Sequence, residues 1–271
     1  GFVVIRGNLF DSALMKTSVI SDDFRRRFLE RPGATGVHEA TAVVFEGPED
    51  YHARINDPEL QIDETSMLFI RNVGPIGYPG SAEVVNMQPP DSLLSKGVAH
   101  LPTCGDGRQS GTSESPSVLN ASPESLAGGG LAILHTGDRV KLDLNQGALN
   151  VLLSQVPRSH SQSPPICPPT APKSPLNRPP IAPRSPPDRP PIDPPNGPPM
   201  DPHGLVALLA QEELKRRWVA WEAQADERAL EHQTPWQEIY RSTVGPLSTG
   251  ACIELATRYQ GVAERVPRHN H

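Results

Sequence analysis

Apolar positions along residues 1–154 fall into short runs broken by Gly, Pro and Asp: "FVVI" (2–5), "TAVVF" (41–45), "MLFI" (67–70) and "LAIL" (131–134). Runs of four or five apolar residues between turn residues predict strands. Farther on, Val140, Leu142 and Leu144 alternate with polar residues, and after "NQG" the alternation returns at Leu149, Val151 and Leu153. Period-two patterning on both sides of a turn predicts a hairpin with one buried face. Short helices are expected over residues 22–30 with Ser21 as cap, around Tyr51 to Ile55, and from Pro123 behind Ser122. Many strands with few helices point to a mostly β fold with flanking helices, a barrel or a sandwich, rather than a doubly wound sheet.

The pattern stops at residue 155. Residues 155–203 hold most of the prolines, and "APKSPLNRPPI" (171–181) is followed directly by "APRSPPDRPPI" (182–192). Proline lacks an amide donor and restricts the residue before it, so neither helix nor sheet is expected. An extended, disordered polyproline-type spacer is expected, with PxxP ligands for SH3 or WW modules as the other reading. A helical pattern then takes over in residues 204–271. Val206, Leu209, Leu214, Trp218 and Trp221 share one face, while Glu212–Arg216 and Glu213–Arg217 are spaced four apart on the other. "TPWQ" reads as a capping box with Thr234 as cap, Pro235 opening the helix and Gln237 reaching back. A last helix places Cys252, Leu255, Tyr259 and Val262 on one stripe. The aromatics of this region read as core. The three parts thus read as a β domain (1–154), a Pro-rich insert (155–203) and helices that complete the same domain (204–271).

Composition narrows the function. The net charge of −6 over 271 residues argues against a general nucleic-acid surface. No apolar run approaches the ~20 residues that cross a bilayer, and no leader pattern opens the chain. The first residue is Gly within a strand pattern, as expected of a fragment or a processed product. Cys104, Cys167 and Cys252 are far apart, odd in number and form no CxxC pair. This speaks against a disulfide framework or a structural zinc site, and fits a reducing, cytoplasmic compartment (or a mitochondrial one, given a longer N-terminus).

Two loops could carry chemistry. "GDGRQSGTS" (105–113) follows the apolar run "VAHLP" and sets three hydroxyls among three glycines. It lacks the Lys of a P-loop and the first Gly of a nucleophile elbow. Ser110 and Thr112 are two apart, so in an extended loop both hydroxyls face one side. Spacing alone favours an ordinary turn. "GPIGYPGSAEVVNM" (74–87) follows "MLFIR" and offers Glu83, a hard-oxygen ligand suited to Mg2+ or a solvated surface carboxylate.

Several blocks carry a resemblance: "FEGPEDYHARI", "GYPGSAEVVNMQPP", "GDGRQSGTS", "LNASPESLAGGGLAILHTGDRVKLDL", and "QTPWQEIYR" through "ELATRYQ". In this order they resemble the C-terminal portion of the dihydroxy-acid and 6-phosphogluconate dehydratases. The tail after "QTPWQEIYR", ending "RHNH", is similar to the pentonate branch, the arabinonate and xylonate dehydratases. The resemblance implies a β-barrel domain flanked by helices. It also implies a hydro-lyase that converts a 2,3-dihydroxy sugar acid to a 2-keto-3-deoxy acid, using an Fe–S cluster (2Fe-2S or 4Fe-4S) and Mg2+.

Carried over by position, Ser110 becomes the base, Thr112 a substrate contact and Glu83 a Mg2+ ligand. Asp106 and Arg108 read as braces of the loop. None of the three cysteines falls in a cluster motif, so the chain carries no Fe–S ligand. The implied partners are a sugar acid, an N-terminal dehydratase domain that is missing here, and further copies of the protein. The isolated chain is expected to be inactive, and a non-catalytic interaction protein is the alternative. One departure stands beside the site: Glu114 occupies a position where the pentonate branch typically has Gly.

Overall fold

The structure, a computed structural model, describes residues 1–30, 35–79, 83–108, 114–152, 205–223, 234–247, 250–253 and 256. Among these, eight strands close into a barrel. They are β1 (Phe2–Gly7), β2 (Phe10–Lys16), β3 (Val37–Phe45), β4 (Ser66–Ile70), β5 (Thr103–Gly105), β6 (Ser117–Ser122), β7 (Arg139–Asp143) and β8 (Ala148–Leu152). The order around the barrel is β1-β2-β6-β5-β4-β3-β7-β8. The strands β3, β4, β5 and β6 run parallel to one another. The β1–β2 and β7–β8 pairs are antiparallel hairpins. The seam between β8 and β1 is a parallel contact at Arg6↔Ala148. There the Asn8 side chain acts as an extra rung: its amide donates to the Val151 carbonyl at 2.9 Å and its oxygen accepts the Val151 N–H at 2.8 Å.

The two kinds of strand follow from what covers them. In β4 every residue is buried. Met67 and Phe69 face the barrel interior, while Leu68 and Ile70 join an outer cluster with Val43, Phe45, Val85 and Leu93. A parallel strand covered on both faces needs an unbroken apolar run, which "MLFI" supplies. The β7–β8 hairpin has one wet face. Val140, Leu142, Leu149 and Val151 point inward and pair in register. Its turn is set by Asp143, whose Oδ1 accepts the N–H groups of Asn145 and Gln146 at 3.0 Å each, and by Gly147 at φ 62°.

Helices occupy the connections: α1 (Asp22–Phe24), α2 (Pro48–Arg54), α3 (Asp91–Leu94), α4 (Leu205–Ala223) and α5 (Pro235–Thr243). Ser21 caps α1, its Oγ accepting the Phe24 N–H at 3.2 Å, and the chain then widens into a π-helical turn over Arg25–Leu29. The α2 helix spans the expected 51–55 region but starts earlier, with Pro48 in its first turn.

Several expectations need correction. "LAIL" is not a strand: Gly130–Ile133 forms a 3-10 turn whose Leu131, Ala132 and Ile133 are buried without entering the sheet. No helix opens at Pro123; the Ser122–Pro123 peptide is cis and a short 3-10 turn follows at Ser125–Ala127. Past the apolar run "VAHLP" a short strand forms at Thr103–Gly105, while Val98 and Leu101 pack into the outer cluster.

The capping box at Thr234 is present as expected. In α4, Arg217 is largely buried rather than on the wet face. It keeps its pair with Glu213 at 2.8 Å and also forks onto Asp138 at 2.6 and 3.0 Å. Arg216 pairs with Glu213 and Glu212 with Lys215, so the expected Glu212–Arg216 pair is replaced. Trp218 and Trp221 meet edge to face at 5.7 Å, but Trp236 is 79% exposed and is not core. Cys252 is exposed and lies next to the Val244↔Ile253 bridge instead of on a helical stripe. Leu255, Tyr259 and Val262 lie outside the described residues, as does the Pro-rich segment.

Candidate active site

Because β3 to β6 run parallel, their carboxyl ends meet at one rim, where loops of parallel sheets commonly gather ligand-binding groups. After β3 comes Glu46; after β4, Arg71, Asn72 and Val73; after β5, Asp106, Gly107 and Arg108; after β6, Glu124 and Ser125. Arg71 joins the first two strand ends by donating from Nε to both oxygens of Glu46 at 2.9 Å. Its Nη1 also donates to the carbonyls of Leu131, Ala132 and Leu134 at 2.9, 2.7 and 3.1 Å, which holds the "LAIL" turn against this end of the barrel.

Asp106 ties the next three strand ends together. Its side chain is fully buried. It accepts the N–H groups of Asn72 at 3.2 Å, Val73 at 3.0 Å and Ser125 at 2.8 Å, together with the Ser125 hydroxyl. Burial raises its pKa, and those four donors oppose the rise. Asp106 thus braces the neighbouring strand ends; residues 109–113 of its own loop lie outside the described residues. Gly107 permits the close packing: a Cβ there would stand 2.7 Å from the Val73 carbonyl oxygen.

Glu124 is also fully buried. Its Oε2 accepts the N–H groups of Ile76 at 3.0 Å and Gly77 at 3.1 Å. Burial, then the charge of Asp106, pushes its pKa up to about 7. Sequence reasoning missed this residue. The one available signal was an acid within the small and apolar stretch "NASPESLAGGGLAIL".

Glu83 is exposed and bridges in parallel register to Arg108. The Val85 N–H donates to the Arg108 carbonyl at 3.1 Å. The strand direction of β5 therefore continues to Arg108 with the Glu83 segment beside it. Ser110 and Thr112 lie outside the described residues. Glu114, just past them, holds the Ser21 N–H through its backbone carbonyl at 2.9 Å and pairs through its carboxylate with His100 Nε2 at 3.3 Å.

Cys104 is sealed in the barrel interior, and burial raises its thiol pKa well above the ordinary value. Among the described residues, no group of three or more His, Cys, Asp or Glu is placed to hold a metal, and no helix is long and apolar enough to cross a membrane.

Residues 1–166 match the family model described as the dihydroxy-acid/6-phosphogluconate dehydratase C-terminal domain. The chain belongs to that family. It is a C-terminal portion of these hydro-lyases, and the pentonate dehydratases are among its near relatives. It is 46% identical to a D-xylonate dehydratase of Caulobacter vibrioides over 271 residues, all of this chain and 36% of that protein. It is 41% identical to an L-arabinonate dehydratase of Rhizobium leguminosarum over 155 residues, 57% of the chain and 25% of that protein. A dihydroxy-acid dehydratase of Clostridium beijerinckii is 31% identical over 156 residues. The chain thus spans a quarter to about a third of the length of the curated relatives it matches.

Proposed function

We propose that this chain supplies part of the active site of a pentonate dehydratase, which removes water from a 2,3-dihydroxy acid to leave a 2-keto-3-deoxy acid. The observation that carries the reading is the Glu83↔Arg108 bridge. It sets a solvent-facing carboxylate beside the segment that leads, two residues later, to Ser110. The match to the D-xylonate dehydratase runs through the whole chain, whereas the L-arabinonate match covers 57% of it. This favours a xylonate-like substrate.

In the proposed reaction the C2–H and C3–O bonds break, water leaves, and the resulting enol becomes the ketone. Ser110 Oγ takes the C2 proton, and Thr112 contacts a substrate hydroxyl. A serine hydroxyl is a weak base, so it acts only where positive charge stabilises the alkoxide. Glu83 fits as one ligand of Mg2+, which commonly takes one or two protein carboxylates; the remaining ligands belong to the rest of the protein. When bound, the ion neutralises the charge that grows on the substrate carboxylate as the proton leaves.

The described cysteines do not fit an iron–sulfur cluster. Cys104 is closed into the core, and Cys252 stands as a lone exposed thiol. Cys167 lies outside the described residues, and none of the three cysteines sits in a CxxC pair, so any cluster takes its ligands from the rest of the protein.

The test is reconstitution. The 271-residue chain alone should not dehydrate D-xylonate. Mixed with the cysteine-bearing remainder of the D-xylonate relative it should, and Ser110→Ala and Glu83→Gln should each cost at least about 100-fold. Turnover by the chain alone, or full activity in Ser110→Ala, would overturn the reading.

A further inference from the structure

The turn that leads into Glu83 is held from two sides, by residues no part of the proposed chemistry uses. On one side, Glu124 Oε2 takes the N–H groups of Ile76 and Gly77 at 3.0 and 3.1 Å. On the other, Arg241 donates from Nε to the Ile76 carbonyl at 2.9 Å and from Nη2 to the Gly77 carbonyl at 3.0 Å. The same two residues therefore have their donors satisfied by a barrel loop and their acceptors by α5. The turn is closed on itself by Tyr78 N–H to the Gly74 carbonyl at 2.7 Å.

The cradle is tight. A Cβ on Gly74 would stand 2.3 Å from Glu124 Oε2, and one on Gly77 would stand 2.5 Å from the Asn72 carbonyl oxygen. Arg241 itself is fixed by its surroundings. The α5 helix starts at a capping box, and Val244, just after it, is buried and bridged to Ile253. The Leu247 backbone amide also acts on the Glu124 carboxylate, so the segment after α5 reaches this turn a second time.

We propose that Arg241 and Glu124 are positioning residues that grip the 74–78 turn from opposite sides and thereby fix where Glu83 stands. The role of Glu83 rests on the function proposed above; the grip on the turn does not. Glu83 stands five residues past Tyr78, where this turn ends, and is itself bridged to Arg108. Five residues cap its distance from the turn at about 18 Å, since each spans at most about 3.6 Å. A guanidinium suits the task because its planar fork meets two neighbouring carbonyls at once, which a lysine ammonium cannot match in geometry. The consequence is that α5, far along the sequence, takes part in shaping the metal end of the site.

Two measurements on the 271-residue chain and its reconstituted enzyme decide this. The first is amide hydrogen exchange. Arg241→Gln should speed exchange at Ile76 and Gly77 by about tenfold, the worth of one or two charge-assisted hydrogen bonds, and leave β7 and β8 unchanged. Arg241→Lys, which keeps the charge and one donor, should fall between; it also carries the test if the glutamine variant fails to fold. Unchanged exchange at these two amides in both variants overturns the proposal and leaves Arg241 as a mere tether of α5.

The second measurement is the Mg2+ requirement of the reconstituted activity. Arg241→Gln should raise the Mg2+ concentration for half-maximal rate by about tenfold, with the loss made good by excess Mg2+. Glu83→Gln should not be rescued. A loss of rate that excess Mg2+ leaves untouched contradicts the positioning role. If reconstitution gives no activity at all, the proposed function fails while the exchange data still judge the grip on the turn.

Discussion

The barrel has two halves, and they are built on different rules. The hairpin half, β7–β8 and β1–β2, keeps its turns local. Among the described residues Asp143, for instance, bonds the N–H groups two and three residues on. In the parallel half, β4, β5 and the carboxyl end of β3 are covered on both faces and cannot put polar groups in water there. This half gathers them at the carboxyl ends, where Asp106 and Glu124 join segments that are far apart in sequence. The lesson is that the same residue type does local work in one half and fold-spanning work in the other. The half that concentrates buried charge is also the half that carries the candidate site.

Substitutions can test this contrast in order of size. Asp106→Ala leaves its donors facing an empty buried site and should cost about 3–5 kcal/mol in urea unfolding. A loss below about 1 kcal/mol would show that the strand ends hold without it. Next is Glu124→Gln, where the effect depends on pH. The Glu124 carboxyl titrates near 7 in the fold against an ordinary 4.5. Between those values the folded state holds a proton that the unfolded chain has lost, so wild-type stability falls as pH rises from about 4.5 through 7. The glutamine variant lacks that fall. It should match wild type at pH 4.5 and exceed it at pH 8 by at most about 3 kcal/mol. Thermal melts across this range would check the slope, and parallel curves for the two proteins would refute it.

The hairpin counterpart, Asp143→Ala, removes two turn bonds and should cost only about 1 kcal/mol, a Tm change of about 2–4 °C. A loss as large as that of Asp106→Ala would erase the contrast. Smallest is Glu39→Ala, which removes a half-exposed pair with Arg139 at 3.8 Å on the outer face, where β3 meets β7. It should stay within about 0.5 kcal/mol in the same melts.

The contrast also explains what could be read from the sequence. The β7–β8 hairpin was legible, because alternation encodes one wet face and "NQG" encodes the turn, although Leu144 falls in the turn and Leu153 lies outside the described residues. The β3 and β4 runs were legible as strands, but nothing in "MLFI" says that both of its faces are covered. "LAIL" misled because a short apolar run records burial and not pairing: its residues close one end of the barrel beneath Arg71. The β5 and β6 strands were missed because they are rich in small polar residues. Their hydroxyls satisfy each other inside, as Thr103 and Ser117 do. At the site, the Glu83 loop stood out by composition and the family resemblance. Glu124 and Arg241 did not, since their roles arise only when segments 48 and 165 residues apart meet.

The seam of the barrel has a last consequence. Val151 is already locked to Asn8 by two side-chain bonds before residue 153. All eight strands described lie before residue 153, and the connection to α4 runs from Leu152 to Leu205. Lengthening such a connection costs only about 0.6 kcal/mol per doubling. This junction is a place where a chain can gain or lose sequence, whatever its composition, although β8 runs parallel to β3 and so leaves the barrel at the same rim as the candidate site.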